Sequence, residues 1–157
     1  MAKGRKRKAA AGDVATNRQA SYRFHLLERF ECGIVLTGTE VKALRESGAQ
    51  LKDAYAVVRD NEVWLLGMYI PPYGPASRAN HHPERPRKLL LHRREIAKLD
   101  SKSGEKGLTL VPLSIYFKKG IAKVELFVAR GRKTYDKREA IKKQDAKRDI
   151  DRATRRR

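Results

Sequence analysis

The sequence predicts a mainly β domain that closes as a small barrel of about six strands, with two or three short helices and a disordered basic arm at each end. Three observations lead there. Six short apolar-rich runs, several alternating with polar residues and bounded by turn residues, lie between positions 17 and 130 of the 157. Two stretches between those runs carry helix-opening patterns. The two flanks hold most of the net charge and little that a core could use.

Taken in order, residues 1–16 read as a flexible basic arm. Tyr22, Phe24 and Leu26 alternate with Arg23 and His25, the period of a half-buried strand. The phase blurs after Leu27 and resumes at Ile34-Val35-Leu36, with Cys32-Gly33 between as a bend or bulge. Thr37-Gly38-Thr39-Glu40 has the spacing of a capping box, in which an N-cap hydroxyl and an N3 carboxylate satisfy free amides at a helix start. The helix so opened places Val41 and Leu44 on one face and ends near Gly48. Residues 51–59 and 62–70 are two strands joined at Asp60-Asn61, residue types that tolerate the positive φ of a tight hairpin.

Five of the six prolines fall between Pro71 and Pro86, so that stretch is a loop. A helix over about 92–102 brings Ile96 and Leu99 together, and Leu89 to Leu91 either extends it or forms a short strand. Residues 108–117 and 121–130 form a last hairpin around Lys118-Lys119-Gly120, with Pro112 at an edge or a bulge. In its second strand Val124, Leu126 and Val128 alternate with Lys123, Glu125 and Phe127. These elements suit a closed or partly closed barrel, and the oligonucleotide-binding fold is one such barrel. The domain therefore spans residues 17–130.

Residues 131–157 are a tail of another kind. They hold 12 Lys and Arg against 5 Asp and Glu, and their apolar side chains are little more than Ile141, Ile150 and scattered alanines. Such a segment cannot bury enough apolar surface to offset its own ordering, so alone it should be disordered. Yet it holds no proline and no glycine after Gly131, and it is rich in helix formers. Glu139 with Lys143 and Asp151 with Arg155 are opposite charges at i,i+4 in the favourable order. The tail is expected to become helical against a polyanion.

The charge of +19 is unevenly placed, since residues 1–20 carry +5 and the tail +7. Cationic arms suit a phosphate backbone, where each neutralised phosphate releases counterions. Solubility alone needs only a charge of about 2 to 8, and anionic lipid would call for an apolar face that the arms lack. A single cysteine, Cys32, excludes an internal disulfide, and no apolar run has the length of a spanning helix or a signal peptide. The expected location is the cytoplasm.

Catalytic patterns are weak. His25 lies in a strand, and His92, with Glu95 three residues on, opens a helix. His81-His82 with distant Cys32 lack a metal-binding spacing. Ser103-Gly104-Glu105-Lys106-Gly107 is no phosphate-cradling loop. Glu28, Glu31 and Glu40 are acids without partners of obvious chemistry, and Glu40 already has the capping role. No metal or cofactor is expected and no enzyme, although a metal-dependent nuclease and a permanently bound ribosomal protein stay as rivals. Recognition remains. Arg23, Arg29, Lys42, Arg45, Arg87, Lys88, Arg93, Arg94, Lys118, Lys119 and Lys123 are candidates for a phosphate-tracking surface. Tyr22, Phe24, Tyr55, Trp64, Tyr69, Tyr73, Tyr116 and Phe127 are candidates for base stacking, with core packing preferred for Tyr55 and Trp64.

Several segments resemble the SsrA-binding protein (small protein B) family, the bacterial partners of transfer-messenger RNA. They are Asn17-Arg18; the run from Phe30-Glu31-Cys32-Gly33 to Glu40-Val41-Lys42; Asp53-Ala54-Tyr55; Arg87-Lys88-Leu89-Leu90-Leu91-His92 with Arg94-Glu95-Ile96; and Gly131-Arg132-Lys133-Thr134-Tyr135-Asp136-Lys137-Arg138. They occur in family order and cover nearly the whole chain. Cys32, Tyr135 and Arg132 depart from frequent family choices while keeping bulk or charge.

The resemblance implies a six-stranded oligonucleotide-binding barrel that binds the tRNA-like domain of transfer-messenger RNA and escorts it to stalled ribosomes. It implies RNA contacts by Asn17, Arg18, Phe24, Glu31, Leu91 and Lys123, with Leu91 equally open to a packing role. It places Gly131, Arg132, Lys133, Tyr135, Asp136, Lys137 and Arg138 against small-subunit ribosomal RNA at the decoding centre, the tail entering the empty messenger channel. Tyr135 would stack, Lys137 and Arg138 would hold phosphates, and Asp136 would cap the helix starting there. The implied protein is a monomer that meets elongation factor Tu and alanyl-tRNA synthetase only through the RNA.

Overall fold

A computed structural model describes residues 12–76 and 78–155 of the chain. In chain order the elements are β1 (Asp13–Thr16), α1 (Ala20–Arg23), β2 (Phe24–Ile34), α2 (Gly38–Ser47), β3 (Tyr55–Arg59), β4 (Glu62–Leu66), β5 (Arg87–Leu90), α3 (Arg93–Ser103), β6 (Leu108–Lys118), β7 (Ile121–Gly131) and α4 (Thr134–Arg155). Strands β2 to β7 close into a ring. β6 pairs with β3, β3 with β4, β4 with β5, β5 with β2, β2 with β7, and β7 returns to β6, always antiparallel. The expected six-stranded barrel is therefore present, and closure leaves it few open edges.

Local chemistry explains the corners. Asp60 and Asn61 turn β3 into β4 with φ of 50° and 59°, and Lys119 and Gly120 turn β6 into β7 with φ of 51° and 77°. Positive φ at both central residues matches the right-handed twist of the strands on either side. Pro112, which cannot donate to a ladder, sits at the register shift between Pro112 and Ser114 in the β6–β7 pairing. The helix α2 opens as expected, with the Thr37 backbone N–H donating to Glu40 Oε2 at 2.8 Å. Leu89 to Leu91 resolves in favour of a strand, β5, and His92 then caps α3, its backbone N–H donating to Glu95 Oε2 at 3.2 Å.

The structure differs from the sequence expectation in four places. The end of the N-terminal arm is not an arm: Asp13–Thr16 adds a strand to β6, and Ala15 is only 6% exposed against the core. Burial of that alanine and pairing with Tyr116, Ile115 and Ser114 hold these residues; the arm's first eleven positions lie outside the described residues. Tyr22 belongs to the short α1 rather than to a strand, because the chain turns there from β1 into β2. The irregularity of β2 falls at Leu27, where its register on β7 shifts between Leu26 and Glu28, and not at Cys32-Gly33. Cys32 is buried, and a Cβ at Gly33 would lie 3.2 Å from that of Leu90, a tight approach between the two strands. The hairpin strands β3 and β4 are shorter than expected, since Leu51 to Ala54 forms a turn closed by Ala54 N–H donating to Leu51 O at 3.2 Å.

The tail carries the helix that its composition favours. Thr134–Arg155 is one helix, about 33 Å long at ~1.5 Å per residue. Its described side chains, from Arg138 onward, are exposed, and ion pairs along it include Asp145–Arg148 at 3.8 Å and Asp149–Arg152 at 3.9 Å. Propensity and charge spacing favour this geometry, yet none of the described side chains of the helix is buried, and an isolated helix of this length is marginal in water. Asp136 lies inside the first turn instead of capping the start.

Gly48 locks α2 to β1. Its φ of 74° and ψ of −156° suit only glycine, and a Cβ would sit 2.7 Å from the Val14 carbonyl oxygen. Gly48→Ala is expected to cost more than the ~1–3 kcal/mol of backbone strain alone. The check is urea unfolding; an unchanged midpoint would mean that β1 yields freely.

Candidate RNA interface

The outward face of β2, β7 and β6 carries an arrangement of paired charges. Register fixes it: Glu31 of β2 lies opposite Glu125 of β7, which lies opposite Ser114 of β6, while Gly33, Lys123 and Tyr116 form the next row. Side chains alternate across a strand, so Arg29 and Glu31, Lys123 and Glu125, and Ser114, Tyr116 and Lys118 all leave by this face. Tyr116 Oη donates to Glu31 Oε2, and Lys118 Nζ donates to Glu31 Oε1 at 3.2 Å. Hydrogen bonding from Tyr116, opposed by some burial and joined by Lys118 and the charge of Lys123, holds the Glu31 carboxyl below its usual 4.5. Burial, together with donation to Glu31, pushes the Tyr116 phenol up to about 12. It therefore stays a donor throughout the neutral range.

Beneath this lies a carboxylate that the alternation pattern had placed outside. Glu125 is 1% exposed; Ser114 Oγ donates to its Oε2 at 2.9 Å, and Arg29 Nε lies 2.6 Å from its Oε1. The Arg29 N–H is not aimed along that line, so Oε1 takes charge compensation without a directed hydrogen bond. Phe127, next along the same face, is 1% exposed and supplies packing instead of a stacking platform.

The six expected barrel positions do not form one site. Glu31 and Lys123 share the face just described. Leu91 is half-buried against the main core nearby, while its neighbour Leu90, 51% exposed, pairs with Gly33. Phe24 begins β2, seven residues from Glu31, roughly 20 Å of strand away at about 3.3 Å per residue. Asn17 and Arg18 lie near that far end. Asn17 is 4% exposed, its Nδ2 donating to Leu51 O at 3.0 Å and Pro112 O at 3.4 Å, while Arg18 is exposed. The tail departs from the same end. Gly131 pairs with Phe24, and Arg132 donates from its backbone N–H to Arg23 O at 3.0 Å and from Nε to Phe24 O at 3.3 Å. Lys133 and Arg138 are exposed; the side chains of Tyr135, Asp136 and Lys137 lie outside what is described, and their backbone is helical.

Several candidate cations are committed elsewhere. Arg87 is fully buried, its Nε donating to Glu40 Oε1 at 2.8 Å, Nη1 to Met68 O at 2.8 Å and Nη2 to Pro83 O at 3.0 Å, so it cannot reach RNA. Arg23 pairs with Asp53 and Lys88 with Glu62. Lys42 covers the Tyr73 ring and Arg45 the Phe117 ring. Among the aromatics, Tyr22 at 39% and Tyr55 at 46% exposure are open, the latter against expectation. Tyr55 begins β3 at the barrel rim, where less of the sheet covers it.

His81 and Cys32 are held within the fold. His81 contacts Thr39 Oγ1 at 3.0 Å and Ile70 O at 3.1 Å. Burial, with Glu95 and Glu31 adding to it, pushes the Cys32 thiol up to about 12, which keeps the sulfur protonated and inert. Sequence reasoning missed the buried Glu40–Arg85–Arg87 cluster, in which Arg85 also donates to both Glu40 oxygens at 2.7 Å. It missed Glu28 as well, whose carboxylate accepts from Lys98 and Lys102 and ties α3 to β2.

A closed antiparallel barrel with an acid–base network on one face and a cationic helix leaving one rim defines an oligonucleotide-binding-type barrel. The chain belongs to the SmpB protein family, whose model matches residues 14–156. The SsrA-binding protein of Thermobifida fusca is 52% identical over 159 residues, covering 100% of this chain and 99% of that one. That of Syntrophomonas wolfei is 56% identical over 140 residues, covering 89% of each. A chain of the solved structure "tmRNA-SmpB: a journey to the center of the bacterial ribosome" is 47% identical and superposes with a TM-score of 0.66, over 80% of this chain and 92% of that one.

Proposed function

We propose that this protein binds the tRNA-like domain of transfer-messenger RNA and delivers it to stalled ribosomes for trans-translation. The observation that carries this is similarity along the full length, barrel and tail together, to proteins named for binding SsrA RNA and to a chain solved with that RNA in a ribosomal setting. The barrel face around Glu31, Lys118 and Lys123, and the end around Asn17, Arg18 and Phe24, meet the RNA. Gly131 to Arg138 and the helix beyond then approach small-subunit ribosomal RNA at the decoding centre. Arg132, pinned to the carbonyls of Arg23 and Phe24, sets the direction in which the tail leaves the barrel. A vacant messenger channel is lined by phosphates that a +7 segment can neutralise, and a messenger in place excludes it by bulk and by charge.

In this role the protein acts as a cytoplasmic monomer without cofactor or catalytic step, and elongation factor Tu and alanyl-tRNA synthetase are met through the RNA alone. No helix among the described residues is long and apolar enough to cross a membrane. The test is to sequence RNA co-purified with the protein from its own cells. Enrichment of one tRNA-like species is expected; a spread of ribosomal fragments alone would overturn the assignment in favour of an ordinary ribosomal protein.

A further inference from the structure

We infer that Tyr116 is a positioning residue of the RNA site: its phenol holds the Glu31 carboxylate in one orientation, so that this acid can accept N–H or O–H donors of a bound RNA. The inference rests on the proposed RNA-binding role and deepens it. Glu31 is an acid on a surface meant for a polyanion, and an unheld carboxylate there would repel phosphates and sample many rotamers. Phosphates offer it no donors, whereas nucleobase edges and ribose hydroxyls do. A carboxylate so used must keep its charge and a fixed direction.

The geometry supplies both. Tyr116 stands on β6, with β7 between it and Glu31 on β2, and reaches across to Oε2. Its residue is 8% exposed, so the ring is fixed by packing and is closed to a stacking base. Lys118 takes Oε1 from the same strand, and the Glu31 side chain remains 34% exposed, open to a ligand on the solvent side. Arg29, held beside buried Glu125, also acts on the phenol and lowers its pKa against the burial, which links the two acid–base groups into one network.

The experiment measures affinity of the full chain for transfer-messenger RNA in a double-mutant cycle of Tyr116→Phe and Glu31→Ala. Wild-type binding in the same assay is the reference, and its absence would overturn the proposed function itself. Tyr116→Phe keeps the ring and is expected to weaken binding about tenfold, matching one charge-assisted hydrogen bond. In the Glu31→Ala background it should have no further effect. Its plot of log affinity against log salt should keep the wild-type slope, since a neutral phenol releases no counterion. Additive losses, an unchanged affinity in Tyr116→Phe, or a slope shallower by the ~0.7–0.9 of one phosphate contact would each overturn the inference. If Tyr116→Phe proved too unstable to assay, Glu31→Gln serves instead. It keeps one oxygen for the phenol but loses an acceptor, so wild-type affinity in that variant would equally overturn it.

Discussion

Replacing Asp136, Lys137 and Arg138 together by alanine is expected to abolish tagging of nascent chains on stalled ribosomes while leaving transfer-messenger RNA affinity within about threefold. The three positions lie in the first two turns of α4, beyond the point where Arg132 is fixed to the barrel. They are far from Glu31 along β2, so the RNA-binding face should not register their loss. In the proposed role Lys137 and Arg138 each hold a phosphate, and losing both contacts at ~1.5–3 kcal/mol each is enough for roughly 100-fold or more. A tagging assay on a truncated messenger, run beside an RNA titration, checks both halves. A large loss of RNA affinity would contradict the division between barrel and tail.

The largest stability effect is expected at Glu40. Its carboxylate is fully buried and receives two hydrogen bonds from Arg85, one from Arg87 and one from the Thr37 backbone. Glu40→Ala would leave Arg87 as a buried cation without its anion, detach the proline-rich loop that Arg85 and Arg87 tie to α2, and remove the N3 group of the capping box. Breaking such a pair costs about 3–5 kcal/mol, a large share of the ~5–15 kcal/mol that holds a domain together. Urea unfolding should show a much lower midpoint, and a shift under about 1 kcal/mol would mean that water reaches the cluster. The pH dependence has a definite sign. Burial raises the Glu40 carboxyl, but the hydrogen bonds from Arg85 and Thr37 and the nearby charge of Arg87 outweigh it and set the folded value below 4.5. The stabilisation is thus complete above the unfolded value near 4.5 and is lost as pH falls through the folded one. In Glu40→Gln this acid-dependent component should vanish.

How much of this could be read in the chain follows from range. Both hairpins were legible because Asp60-Asn61 and Lys119-Gly120 state their turns locally, and α2 was legible because Thr37 and Glu40 lie three residues apart. The six-strand closure followed from those pieces. The bulge at Leu27 was visible only as a loss of phase, since nothing in the residue types says which strand will face it. Arg87 looked like surface charge because its partner, Glu40, is 47 residues away. Glu125 looked solvated for a similar reason: its partners, Ser114 and Arg29, stand on other strands. The separation of Asn17 and Phe24 from Glu31 needed the register of β2 on β7. In the tail, helix propensity was legible, but whether a helix without burial persists is decided by its surroundings.

Hydrogen exchange of the amides of residues 138–154 tests that point most directly, in the free protein, on ribosomes stalled at a messenger's end, and on ribosomes whose messenger continues downstream. Strong protection is expected only on the truncated messenger, with near-coil exchange in the other two states, because in the proposed role the phosphates of an open channel stabilise the helix. Equal protection in all three states would mean that α4 is a permanent element of the fold and senses nothing.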